Sequence, residues 1–122
     1  MTMKSGYEQE VWDAAKDEMR QALIERAKVR GMIPYSELVE GISSIQFEPN
    51  SFALAAMLGE LSTEENDAGR GMLSVIVVHK VGDMQTGPGF FELAKALGRD
   101  TSDIVKCWVE ELRTVHRAWS GN

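Results

Sequence analysis

The sequence predicts a mainly α-helical domain with a small β-hairpin or sheet, framed by long amphipathic helices at its two ends. Three observations carry that expectation. Apolar residues recur at three- and four-residue spacing over residues 7–30 and again over 104–119. Between them, Met72–Lys80 ("MLSVIVVHK") is the clearest β-branched run. Glycines and prolines fall where these segments meet, and no repeat or low-complexity tract separates them. At 122 residues, 43% hydrophobic and 26% charged, the chain is expected to form one domain with one core, residues 1–6 being flexible.

Each element has its own signals. In the first helix, Val11, Ala15, Met19, Ala22, Leu23 and Ala27 form the apolar stripe. Gly31 is its expected stop, and Arg26, Lys28 and Arg30 suit the negative end of the helix dipole. A short helix follows in "PYSELVEGI", entered at Pro34, turned inward at Leu38 and ended by Gly41. Ser43–Phe47 alternates Ile45 and Phe47 with polar neighbours and reads as a short strand. Asn50 or Ser51 then caps a helix running to about Ala68, expected to bury Phe52, Leu54 or Ala55, Leu58 and Leu61.

Gly69 and Gly71 lead out of that helix into the strand Met72–Lys80, whose continuous apolarity implies cover on both faces. Gly82–Gly89 reads as a turn region, with Gly87-Pro88-Gly89 fitting a type II turn. "FFELAKAL" is a helix closed by Gly98. Asp100 or Thr101 caps the last helix, in which Ile104, Trp108, Leu112, Val115 and Trp119 form the inward stripe. Trp12 and Trp119 place the two terminal helices either against each other or against a second subunit, so a homodimer is possible.

This order of elements resembles the winged helix-turn-helix superfamily over roughly residues 8–90. "IPYSELVEGI" takes the place of its second helix, residues 50–67 that of the recognition helix, and Val81–Gly89 that of the wing. The stretch 69–98 resembles short uncharacterised bacterial proteins, which implies no function. Winged helices bind DNA or proteins, so the resemblance implies a binding module without fixing its ligand.

The charge distribution discriminates between those ligands. The whole excess of acid lies in residues 31–69, which carry seven acids and no Lys or Arg, while the net charge of the chain is −6. On the recognition helix, Glu60, Glu64, Glu65 and Asp67 would face phosphates at ~1 kcal/mol or more of repulsion per close like-charge pair. DNA binding through that face is disfavoured. The expected function is a non-catalytic binding or regulatory module, with Glu37, Glu40, Glu60, Glu64, Glu65 and Asp67 meeting a basic surface on a protein partner. The first alternative is a DNA-binding regulator that uses Arg20, Arg26, Lys28, Arg30, Arg70 and Lys80.

A second alternative is a small metal-dependent hydrolase or nuclease. Glu60 and Glu64 stand one helical turn apart, and His79 with Lys80 ends the strand that follows. Such enzymes place an acid two residues before the lysine, where this chain has Val78. No cofactor is expected, because the glycines of 82–89 lack the Lys-Ser or Lys-Thr of a phosphate loop and the spacing of a dinucleotide fingerprint. Cys107 stands alone, which leaves no internal disulfide and no cysteine-based zinc site. The absence of an ~18-residue apolar run and of a secretory leader points to a cytoplasmic protein with no membrane contact.

Overall fold

The computed structural model describes residues 3–4, 6–48, 51–78 and 88–120. Two short strands, β1 (Met3–Lys4) and β2 (Tyr7–Glu8), form an antiparallel pair that leads directly into helix α1 (Gln9–Lys28). Strand β3 (Ile33–Pro34) and helix α2 (Tyr35–Glu40) follow, then helix α3 (Phe52–Asp67). A 3-10 turn (Leu73–Ile76) passes into strand β4 (Val77–Val78), and helices α4 (Pro88–Ala96) and α5 (Ile104–Trp119) complete the order. The molecule is mainly helical, with β3 and β4 paired in parallel at Ile33↔Val77 and Pro34↔Val78. Among the described residues no helix is long and apolar enough to cross a membrane.

Helix α1 buries Trp12, Ala15, Met19, Leu23, Ile24 and Ala27, as its three- and four-residue spacing requires. It packs against α5, α3 and the 3-10 turn, so the two terminal helices meet inside one chain. Its end differs from expectation. Arg30, not Gly31, takes the left-handed conformation (φ 56°), with Gly31 N–H donating to the Arg26 carbonyl and Arg30 N–H to that of Ala27. That is the Schellman arrangement. Gly31 is required for space instead: a Cβ there would lie 2.7 Å from Arg26 Cδ.

The segment Met72–Val78 runs through the centre with nearly every side chain fully buried. It is not the long strand that its β-branched run suggests. A buried strand needs hydrogen-bonding neighbours, and β3 supplies only two residues. The backbone of 73–76 therefore finds other partners. Val75 N–H donates to the Met72 carbonyl, Ser74 N–H donates to Ser62 Oγ (2.9 Å), and the Val75 carbonyl accepts from Trp108 Nε1 (3.2 Å). Similarly, 43–47 forms no strand. Ile45 and Phe47 are buried between exposed neighbours, but the Ser43 and Ser44 amides donate to the Glu18 carboxylate and not to a ladder.

In α3 the buried residues are Leu54, Met57, Leu58, Leu61, Ser62 and Glu65. Phe52, expected inside, is 96% exposed. Two residues before Leu54, it sits about 200° around the helix from that face. Ser51 is the cap, accepting from Leu54 N–H. The expected type II turn at 87–89 is not present at its described positions, because Pro88 and Gly89 are the first residues of α4. Asp103, and not Asp100 or Thr101, caps α5 by accepting from Lys106 N–H (3.1 Å). The inward face of α5 is Cys107, Glu111, Val115 and His116, while Ile104 is 48% exposed.

Candidate functional site

The acids of the middle third meet most of their bases within the same chain. Lys16 on α1 donates to Glu60 (3.1 Å) and Glu64, and Arg20 one turn later donates to Glu64 and to Glu65 (2.6 Å). Trp12 Nε1 adds a hydrogen bond to Glu60 (3.2 Å). Arg70, just beyond α3, grips Glu65 through Nε (2.6 Å) and Nη2 (3.0 Å), and its guanidinium lies 5.3 Å from the Trp119 ring centre. The spacing explains the pairing. Positions 16 and 20 on α1, and 60 and 64 on α3, are each one turn apart, so two facing helices align them as a ladder.

Glu65 is buried in this ladder, so it cannot meet an external partner. Its hydrogen bonds from Arg70 hold the carboxyl below the ordinary range against the opposing effect of burial, with Arg20 adding to the pull. For Lys16, partial burial works against the ammonium, but hydrogen bonds and charge from Glu64 and Glu60 outweigh it and raise the pKa. Glu60, Glu64 and Glu65 thus join α3 to α1.

The remaining expected partner residues separate in space. Glu37 and Glu40 stand exposed on α2, and Asp67 is exposed at the end of α3. Glu37 pairs with Arg26, whose Nη1 also donates to the Met32 carbonyl (2.6 Å). This pair edges an open groove of ≈ 380 Å³ between α1 and α2, lined by Ala22, Glu25, Ile33, Leu38 and Gly41 as well. A second shallow groove of ≈ 410 Å³ lies where α3 meets α4, between Ala56, Gly59, Thr63 and Leu93 with Glu60 and Glu64 alongside.

The bases of the nucleic-acid alternative are largely engaged. Arg20, Arg26 and Arg70 are held as described, and Lys28 lies 3.5 Å from Glu25, one turn back. Arg30 is exposed at the end of α1, and Lys80 lies outside the described residues. Of the metal alternative, Glu60 and Glu64 share Lys16, while His79 lies outside the described residues. No cluster of three or more potential metal-binding side chains occurs among the described residues.

Two further groups are buried in the fold. Nε2 of His116 lies 3.0 Å from the Gly31 carbonyl, and the thiol of Cys107 is buried, which raises its pKa. Sequence reasoning placed Ala22 on the apolar stripe of α1 but did not single out Glu25 and Ile33 on the first groove, or Glu18, which accepts from the Ser43 and Ser44 amides. No local pattern marks them, since the groove exists only where two helices cross. Comparison with protein-family models, curated protein sequences and solved structures finds no match to the chain.

Proposed function

We propose that this chain is a small non-catalytic binding module, built on a winged-helix-like plan, that contacts a basic surface of a protein partner through α2. The observation that supports it is the unequal use of the acids. Glu60, Glu64 and Glu65 neutralise Lys16, Arg20 and Arg70 between α1 and α3, whereas Glu37, although paired with Arg26, stays 52% exposed on the rim of the α1–α2 groove and Glu40 projects from α2 beside it. Complementary charge at such a rim accelerates encounter and selects the partner more than it adds affinity. The winged-helix-like plan is supported by the order α1, β3, α2, α3, β4, with the wing positions 81–87 lying outside the described residues.

The test starts from a partner isolated by affinity capture and then purified. Its affinity for the wild-type chain is compared with that for Glu37→Lys with Glu40→Lys, and separately for Asp67→Lys. The α2 double variant is expected to lose binding and the Asp67 variant to retain most of it. Equal loss in both, or no loss in the α2 variant, would overturn the assignment of the contact surface to α2.

A further inference from the structure

Helix α3 carries a projection and a recess on one side. Phe52 stands 96% exposed at its start. The groove of ≈ 410 Å³ where α3 meets α4 runs along Ala56, Gly59 and Thr63, with Leu93 across from them. At 3.6 residues per turn, positions 56, 59 and 63 fall within about 40° of position 52, so projection and recess share a face. They lie about 10–12 Å apart along the axis. Among the described residues outside its own helix turn, a Cβ on Gly59 would reach only Leu93 Cδ2, at 4.0 Å. The recess is therefore open above Gly59. A two-fold rotation matches such a pair to itself, because a contact of residue i with j is then repeated as j with i. We propose that α3 is a self-association surface, on which two copies of this chain pair antiparallel about a two-fold axis at Ala56. Each copy seats Phe52 in the α3–α4 groove of the other.

Charge along α3 is complementary in this direction and not in the reverse one. Residues 52–59 (FALAAMLG) carry no charge, whereas residues 60–67 (ELSTEEND) carry Glu60, Glu64, Glu65 and Asp67. The first turn holds no acid, so nothing on it offsets the positive end of the helix dipole. Antiparallel pairing about Ala56 sets Glu60 of one copy beside that first turn in the other, and the reciprocal contact follows by symmetry. Parallel pairing would set acid against acid. Glu48, exposed ahead of α3, comes nearest the second copy's Glu64, whose charge Lys16 and Arg20 hold. A basic partner finds Glu60 and Glu64 already engaged by those same bases. Phe52 offers roughly 150–250 Å² and its neighbours are small, so the total buried stays under about 1,200 Å², the range of weak association.

The test is sedimentation equilibrium of the full chain across about 10 μM to 1 mM. A concentration-dependent dimer is expected. Phe52→Ser should weaken it about tenfold or more while leaving the melting temperature unchanged, because an exposed side chain contributes little to the monomer. Glu37→Lys with Glu40→Lys should leave the dimer intact, which keeps this surface separate from the acidic contact on α2. Ala56→Cys, at the axis, should oxidise to a covalent dimer. Asp67→Cys should not, since the two copies of position 67 would lie about 33 Å apart. The native Cys107 is buried and does not compete.

A chain that stays monomeric to 1 mM overturns the proposal. So does a dimer that Phe52→Ser leaves intact, as one formed through the terminal helices would be. Cross-linking of Asp67→Cys as readily as Ala56→Cys overturns the antiparallel register.

Discussion

Arg30 holds a backbone conformation that costs an L-residue about 1–2 kcal/mol, at the position where helices commonly place glycine. Glycine there removes the strain but adds freedom to the unfolded chain worth roughly 0.5–1 kcal/mol. The difference favours the folded state, so Arg30→Gly should stabilise the protein by about 0.5–1 kcal/mol, read as a higher denaturation midpoint. Glu65 works in the opposite sense. Its carboxylate, 2% exposed, takes Arg20 Nη1 at 2.6 Å and both Nε and Nη2 of Arg70. Glu65→Gln leaves two guanidiniums facing one another. Breaking a fully buried pair costs about 3–5 kcal/mol, but both arginines reach solvent, so a loss of about 2 kcal/mol is expected. Glu64→Gln, at a side chain 45% exposed, should cost about 1 kcal/mol or less. Equal losses for the two variants, measured by chemical denaturation, would show that burial does not govern the ladder.

At the scale of elements, helices α1, α3 and α4 end alike, each with a left-handed residue: Arg30, Gly69 and Gly98. Gly71 differs, because it combines φ 85° with a crowded position. A Cβ there would lie 3.0 Å from both Glu111 Oε2 and Thr114 Cγ2 and 3.2 Å from Val115 Cγ2. That site holds the central segment to α5, since Glu111 accepts from Met72 N–H (2.7 Å) and binds Arg99 through both oxygens. Gly71→Ala should therefore destabilise by about 2–3 kcal/mol, and Gly69→Ala, with open space around it, by about 1 kcal/mol, checked by thermal melting. These contacts also mark what the sequence conveys. Helix positions, the inward stripe of α1 and the cover over 72–78 are local, because apolar spacing dictates them. The 3-10 turn at 73–76 is not local, because Ser62 and Trp108, distant in sequence, take the place of a sheet partner. The candidate site was legible only as a surplus of acid. Which carboxylates stay outward depends on α1 lying opposite α3, and the groove depends on α1 crossing α2.

For the whole molecule, the partners of Glu18, Glu65 and Lys16 make stability a function of pH, with the sign fixed by each shift. Glu18 accepts the Ser43 amide and hydroxyl and the Ser44 amide, which together hold its pKa at about 2, below the ordinary 4.5. Glu65 is lowered too, by Arg70 first. A lowered carboxylate stabilises the fold above its unfolded pKa, and that stabilisation disappears as pH falls through the folded value. Lys16 is raised above 10.5, so its contribution is complete below that value and disappears as pH rises through the folded one. The melting temperature should therefore form a plateau from about pH 5 to 10, falling on the acid side toward about 2 and again on the alkaline side. Glu18→Ala should reduce stability on the plateau by about 1 kcal/mol, seen as a lower melting temperature, as loss of a helix cap does, and should flatten the lower part of the acid limb, where wild-type Glu18 titrates. Lys16→Met should flatten the alkaline limb and leave the acid limb in place. Added salt should weaken the exposed pairs at Glu64 more than those at buried Glu65, so the plateau drops modestly while its acid edge stays. Calorimetry across pH at low and high salt reads all of these. A melting temperature that climbs as pH falls below 4.5 would contradict the signs, and with them the ladder's role in joining α1 to α3.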